Sequence, residues 1–189
     1  MDRYIDSLVL YIYCLPVTQL MICGVLAAVV FCHLCRVYAG RRWMRPCLGA
    51  VLALWFGGVL WTTLLSRDGG QFEANWVPLH TYWIVLCGGE RELLRSAFMN
   101  AALFYPAGLL CAGLSRGRFR GGMCCTVVLL ALFSLSIELS QDFWQLGNAE
   151  IDDVIHNTLG AAAGFAAFHL KWIDRPPTKN ECEKKEYQP

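Results

Sequence analysis

Glu138, Gln141, Asp142 and Gln145 stand at i, i+3, i+4 and i+7, so one face of a single helix carries two carboxyls and two carboxamides. A second acidic group follows at Glu150, Asp152 and Asp153, with Asn157 one helical turn beyond Asp153. Asn100 adds a carboxamide inside another apolar stretch. Carboxyls in unlike surroundings can divide acid and base duties, and Glu138 and Asp153 are the candidate catalytic pair if there is catalysis. The same groups can instead bind a ligand, with Glu138, Asp152 and Asp153 supplying charge and Asn100, Gln141 and Asn157 supplying hydrogen bonds. Asp152 and Asp153 also suit the first turn of a helix whatever the function, because they complement its dipole. No strong nucleophile accompanies the carboxyls. His33, His80, His156 and His169 are scattered, so neither a metal site nor a cofactor is expected.

The elements that must position these groups belong in a bilayer. Of 189 residues, 56% are hydrophobic and only 16% charged. Apolar runs occupy residues 8–32, 46–66, 96–115, 121–147 and 154–170. A helix needs about 20 residues to cross the hydrocarbon, so four runs suffice and the fifth is short. The fold class expected is therefore all-α, a polytopic membrane protein of about five transmembrane helices. Residues 79–87, with Leu79, Trp83, Leu86 and Cys87 at helical spacing, are too short to cross and read as an interfacial or re-entrant outer helix. Residues 1–175 form one transmembrane domain, and 176–189 a disordered cytoplasmic tail. The pieces between the runs are too short to bury a core of their own, which excludes a soluble catalytic domain and a nucleic-acid partner. The partner implied by composition is the lipid bilayer itself.

Lys and Arg set the orientation. With the first loop inside, Arg36, Arg41, Arg42, Arg45, Arg116, Arg118, Arg120, Lys171, Arg175, Lys179, Lys184 and Lys185 are cytoplasmic, whereas Arg3, Arg67, Arg91 and Arg95 are outside. Twelve against four places the N-terminus outside and the C-terminus in the cytoplasm. The start Met1-Asp2-Arg3-Tyr4 lacks a basic leader, so the first span is expected to be retained. On this topology Asn100 and Asn157 lie about 6 Å below the outer boundary and Glu138 about 13 Å below it. Three helices distant in sequence thus place polar groups in the same half of the membrane, where an outward-facing pocket is cheaper than exposure to lipid. Ten cysteines are present, but only Cys87 falls in the large outer loop, so they read as small apolar side chains. Pro106 should kink the third span, and Gly160-x-x-x-Gly164 is a close-packing motif.

Three segments together resemble the VanZ-like family of bacterial membrane proteins. Asn100-Ala-Ala-Leu-Phe104-Tyr-Pro106-Ala-Gly108 is similar to its Asn-x-x-Leu-Phe-x-Pro-x-Gly helix, Glu138-x-x-Gln141 to its Glu-x-x-Gln pair, and Asp152-Asp153-x-x-x-Asn157-x-x-Gly160 to its Asp-x-x-x-Asn-x-x-Gly ending. The resemblance covers residues 48–168 and includes Asn75-Trp76-Val77-Pro78, similar to a short outer-loop motif. Members often carry an arginine shortly before the acidic run, where this chain has Gly147-Asn148; Arg67 and Arg95 are the two candidates to replace its charge. The resemblance implies a multi-pass protein of the bacterial cytoplasmic membrane. Through the family's founding member, it also implies a link to low-level resistance to teicoplanin, a lipoglycopeptide antibiotic. It supplies no mechanism. The function expected is engagement of a lipid-linked precursor, another cell-envelope ligand or a glycopeptide. The alternatives are a membrane-embedded acid–base enzyme on a lipid-linked substrate, and a structural or partner-binding subunit. Pro106, Gly108, Gly160 and Gly164 are expected to be structural.

Overall fold

The computed structural model describes residues 43–88, 92–115 and 119–173, with 24, 26 and 30 as isolated helical positions. The rest of the expected first span at 8–32 and the tail at 176–189 lie outside the described residues, as do most of the basic residues assigned to the cytoplasm. Among the described residues the chain is helical and has no β-strand. Helix α1 spans Met44–Leu60 and continues through a π-helical turn, Trp61–Leu65. Four more helices follow: α2 at His80–Gly88, α3 at Glu92–Leu114, α4 at Phe119–Trp144 and α5 at Ile151–Ile173.

Three segments are long and apolar enough to cross a membrane: Met44–Leu65, Leu93–Leu114 and Gly121–Trp144. They correspond to the expected runs at 46–66, 96–115 and 121–147. The expectation of about five spans thus finds three among the described residues. Helix α5 is set apart by its surroundings. Asp152, His156, Asn157, Gly160, Ala161, Gly164, Phe165 and Phe168 along it are all buried, so one broad face is packed into protein, while Leu159 on the opposite side is exposed. A helix in that position does not require the uniform hydropathy that lipid contact demands, and its sequence is correspondingly rich in Ala and Gly. Helix α1, by contrast, is peripheral, with Leu54 and Trp61 exposed.

Among the described helices the contact between α3 and α5 is the most extensive, and small residues create it. A Cβ added at Gly108 would overlap the Ala161 carbonyl, one at Gly160 the Ala101 carbonyl, and one at Gly164 the Tyr105 carbonyl. The two backbones therefore touch directly, as small-residue motifs permit. Two apolar clusters flank the crossing. One gathers Met44, Leu48, Leu109, Leu110, Phe165 and Phe168; the other gathers Val59, Phe104, Ala107, Leu130, Ile137 and Ala161. Pro106 sits buried inside α3, where it has no N–H to give to the preceding turn. Within that turn the Leu103 carbonyl accepts a bond from Trp55 Nε1 at 3.0 Å, tying α1 to α3.

At one end of the bundle the connections are stitched together. Helix α4 stops at Gln145, whose left-handed φ of 51° closes a Schellman-type end, with Leu146 N–H bonded to the Gln141 carbonyl at 2.9 Å. The loop after α1 lies over this turn. Gly70 N–H donates to the Gln145 carbonyl and Phe72 N–H to Gln145 Oε1. Asn75 then pairs with the start of α5 in an isolated parallel bridge, donating to the Ala149 carbonyl at 2.7 Å and accepting from Ile151 N–H at 3.0 Å. The Asn75-Trp76-Val77-Pro78 stretch thus holds the loop onto the α4–α5 junction.

Candidate functional site

The sequence-selected polar residues converge at this stitched end. Glu138 and Gln141 on α4 are each only 3% exposed, although α4 is otherwise one of the membrane-crossing candidates. Glu138 Oε2 accepts the Glu150 backbone N–H at 3.0 Å. Gln141 Nε2 donates to the Thr63 carbonyl at 3.0 Å. The widened π turn offers that carbonyl, while the Thr62 and Thr63 hydroxyls turn back onto Val59. The stripe predicted on α4 divides at this point. Gln145 is taken up by the loop, and Asp142 joins Leu139, Ser140, Phe143 and Trp144 in a shallow open concavity on the outer side of α4.

Helix α5 presents two polar strips, offset around its axis. On the first, Asp152 is buried and both its carboxylate oxygens accept backbone N–H groups of the chain entering α2: Oδ1 from Leu79 and Oδ2 from Thr81, the latter at 2.8 Å. Leu79 has a left-handed φ of 61°, a costly conformation for a leucine, and the bond from its N–H to Asp152 helps to hold it. One turn on, His156 Nε2 shares a hydrogen bond with the Tyr82 hydroxyl at 2.9 Å. Asp152 and His156 together dock α2. On the second strip, Asp153 faces the Asn100 side chain of α3. One turn further, Asn157 Nδ2 donates to Ser134 Oγ on α4 at 2.9 Å, and Asn157 Oδ1 is buried without a partner.

Arg67 completes the constellation. Its guanidinium lies against Gly147, at a spot that a Cβ on residue 147 would occupy, and it acts electrostatically on both Glu138 and Asp153. Of the two arginines considered to replace the charge missing at Gly147-Asn148, Arg67 is the one placed at that turn. Between the helices, Glu150 is half-buried; loss of solvent and the neighbouring Asp152 push its carboxyl above the usual range, and His80 pulls it partly back.

All six candidate binding residues, Asn100, Glu138, Gln141, Asp152, Asp153 and Asn157, therefore sit at one end of the bundle, but they do not form one undivided set. Asp152 faces α2, whereas Glu138, Asp153, Asn100 and Asn157 face the gap among α3, α4 and α5. Sequence reasoning missed Ser134, Thr63, Tyr82 and the pairing role of His156. Ser134 carried a usable signal, being one turn from Glu138 on the same face. Thr63 contributes only a backbone carbonyl and left none.

Apolar helices around a buried cluster of carboxyls and carboxamides, with the exposed Arg67 at its edge, describe an integral-membrane type of helical bundle. The model of the VanZ/LLP1 family matches residues 47–172, and the chain belongs to that family. Comparison with curated proteins and with solved structures gives no match.

Proposed function

We propose that the chain crosses the bacterial cytoplasmic membrane about five times, N-terminus outside and C-terminus in the cytoplasm. In this reading its polar cluster opens outward and engages a lipid-linked or other cell-envelope ligand, contributing to tolerance of teicoplanin-type glycopeptides. The observation that carries the reading is the burial of Glu138 beside Asp153, Asn157 and Arg67 at one end of apolar helices. A bilayer protein keeps ionisable groups there at a cost of several kcal/mol unless they are paired or solvated, and such groups mark functional sites by default. Family membership supports a membrane setting. The exposed apolar side chains of α2, among them Trp83 and Leu86, suit a short helix lying against the outer leaflet.

A scaffold reading draws on two specific bonds, Gln141 to the Thr63 carbonyl and Asn157 to Ser134, which join helices irrespective of any ligand. Glu138→Gln and Asn157→Ala separate the readings. Under the site reading both variants accumulate in the membrane at wild-type level but lose teicoplanin tolerance in a sensitive host. Full tolerance at normal abundance in both would overturn it in favour of the scaffold.

A further inference from the structure

In the gap among α3, α4 and α5 the internal hydrogen bonds leave one buried acceptor, Asn157 Oδ1, and one buried donor, Asn100 Nδ2, without a partner. Asn157, only 5% exposed, already uses its Nδ2 on Ser134, and its Oδ1 has no partner. Ser134 lies one turn from Glu138 along α4, and Asn157 one turn from Asp153 along α5. The Asn157–Ser134 pair thus lies one helical turn beyond the two carboxyls. Glu138 has one oxygen on the Glu150 amide, and Asp153 faces Asn100, whose Nδ2 makes no bond of good geometry. Among the described residues the charged groups around the gap are Glu138, Asp153 and Glu150 on the acidic side and, on the basic side, the exposed Arg67, with His80 beside Glu150. Asp152 is committed to the amides of α2. Among these described groups the carboxyls outnumber the guanidinium. A phosphate there would meet those carboxyls, with Arg67 and Asn100 as the donors that face them among the described groups.

Building on the pocket reading above, we propose that the gap receives a primary ammonium group, with Asp153 and Glu138 supplying the counter-charge and Asn157 Oδ1 accepting one N–H. An ammonium has three donors and no acceptor, which complements two carboxyls and a buried acceptor without a partner. The group can be carried by a lipid headgroup or by a free amine; the recognition chemistry is the same.

The test uses the full chain in detergent micelles with three single-chain amphiphiles of equal length: dodecylamine, dodecanol and dodecyl phosphate. Binding is followed by tryptophan fluorescence. Dodecylamine should bind at least about tenfold more tightly than the other two, and Asp153→Asn and Asn157→Ala should each weaken it by about tenfold or more. Asp153→Asn keeps the side-chain size, so the result does not rest on a variant that fails to fold. Displacement by ethanolamine would assign the group to a free amine. Displacement only by vesicles containing phosphatidylethanolamine, and not by phosphatidylglycerol vesicles, would assign it to a lipid headgroup; either result supports the proposal. Tighter, variant-sensitive binding of the phosphate or the alcohol would overturn the ammonium inference and leave the pocket standing. If no amphiphile depends on Asp153 or Asn157, both the inference and the pocket reading fail.

Discussion

Asp152 and Asp153 are neighbours in sequence, as are His156 and Asn157, yet the two pairs live in different chemical settings. The Asp152–His156 strip is occupied by α2: two backbone amides on the carboxylate and a tyrosine hydroxyl on the imidazole. The Asp153–Asn157 strip faces side chains of α3 and α4 and the field of Arg67, and retains an amide oxygen with no partner. A helix that turns about 100° per residue can thus assign one acidic residue to architecture and the next to a site. The carboxylates separate the two where residue type does not: Asp152 has a backbone amide on each oxygen, whereas an unpartnered side-chain atom occurs on both strips, at His156 Nδ1 and at Asn157 Oδ1.

The largest effect should come from breaking the occupied strip. Asp152→Ala leaves the amides of Leu79 and Thr81 without acceptors, which should cost roughly 2–4 kcal/mol. Thermal unfolding should show it, together with faster amide exchange at 79–81. Wild-type stability in this variant would erase the distinction between the strips. Tyr82→Phe removes one bond from the same strip and should cost about 1 kcal/mol, with exchange accelerated across α2 and unchanged in the middle of α5. Asp153→Asn, on the other strip, should change stability by less than about 1 kcal/mol while weakening dodecylamine binding by about tenfold or more. A stability loss equal to that of Asp152→Ala would make Asp153 a second anchor.

The smallest effect concerns Glu150, between the strips. Its carboxyl is held above the usual range, so the folded chain keeps this proton to higher pH than the unfolded chain. The contribution to stability is therefore full at low pH and is lost as pH rises from the ordinary glutamate range through the folded value. Glu150→Gln should flatten that part of the pH–stability curve and leave a slight gain at neutral pH, read from unfolding midpoints across a pH series.

The helices were legible because uninterrupted apolar runs leave few alternatives in length. The runs at 46–66, 96–115 and 121–147 fall within a few residues of α1 with its π turn, α3 and α4. The gathering of Asn100, Glu138 and Asn157 at one end was legible too, since depth along a helix follows from counting residues. Partners were not. That Asp152 caps α2, or that Gln141 reaches the Thr63 carbonyl, depends on how helices are rotated about their axes and on a π turn that no side-chain pattern in Trp61–Leu65 announces. The position of Arg67 was undecidable for a similar reason: its loop is folded back by backbone bonds to Gln145 and Ala149, which carry no mark in residue type.

The crossing of α3 and α5 has a mechanical corollary. Gly108, Gly160 and Gly164 each receive a carbonyl of the opposite helix, like teeth set in notches. Sliding one helix along the other would drive those carbonyls against the side chains that follow each notch, so the pair has a single axial register and behaves as one strut. Asn100 and Asp153 ride on that strut at a fixed separation. Any widening of the gap to admit a guest must then come from displacement of α4 or of the Arg67 loop, with the α3–α5 pair serving as the anvil against which they move.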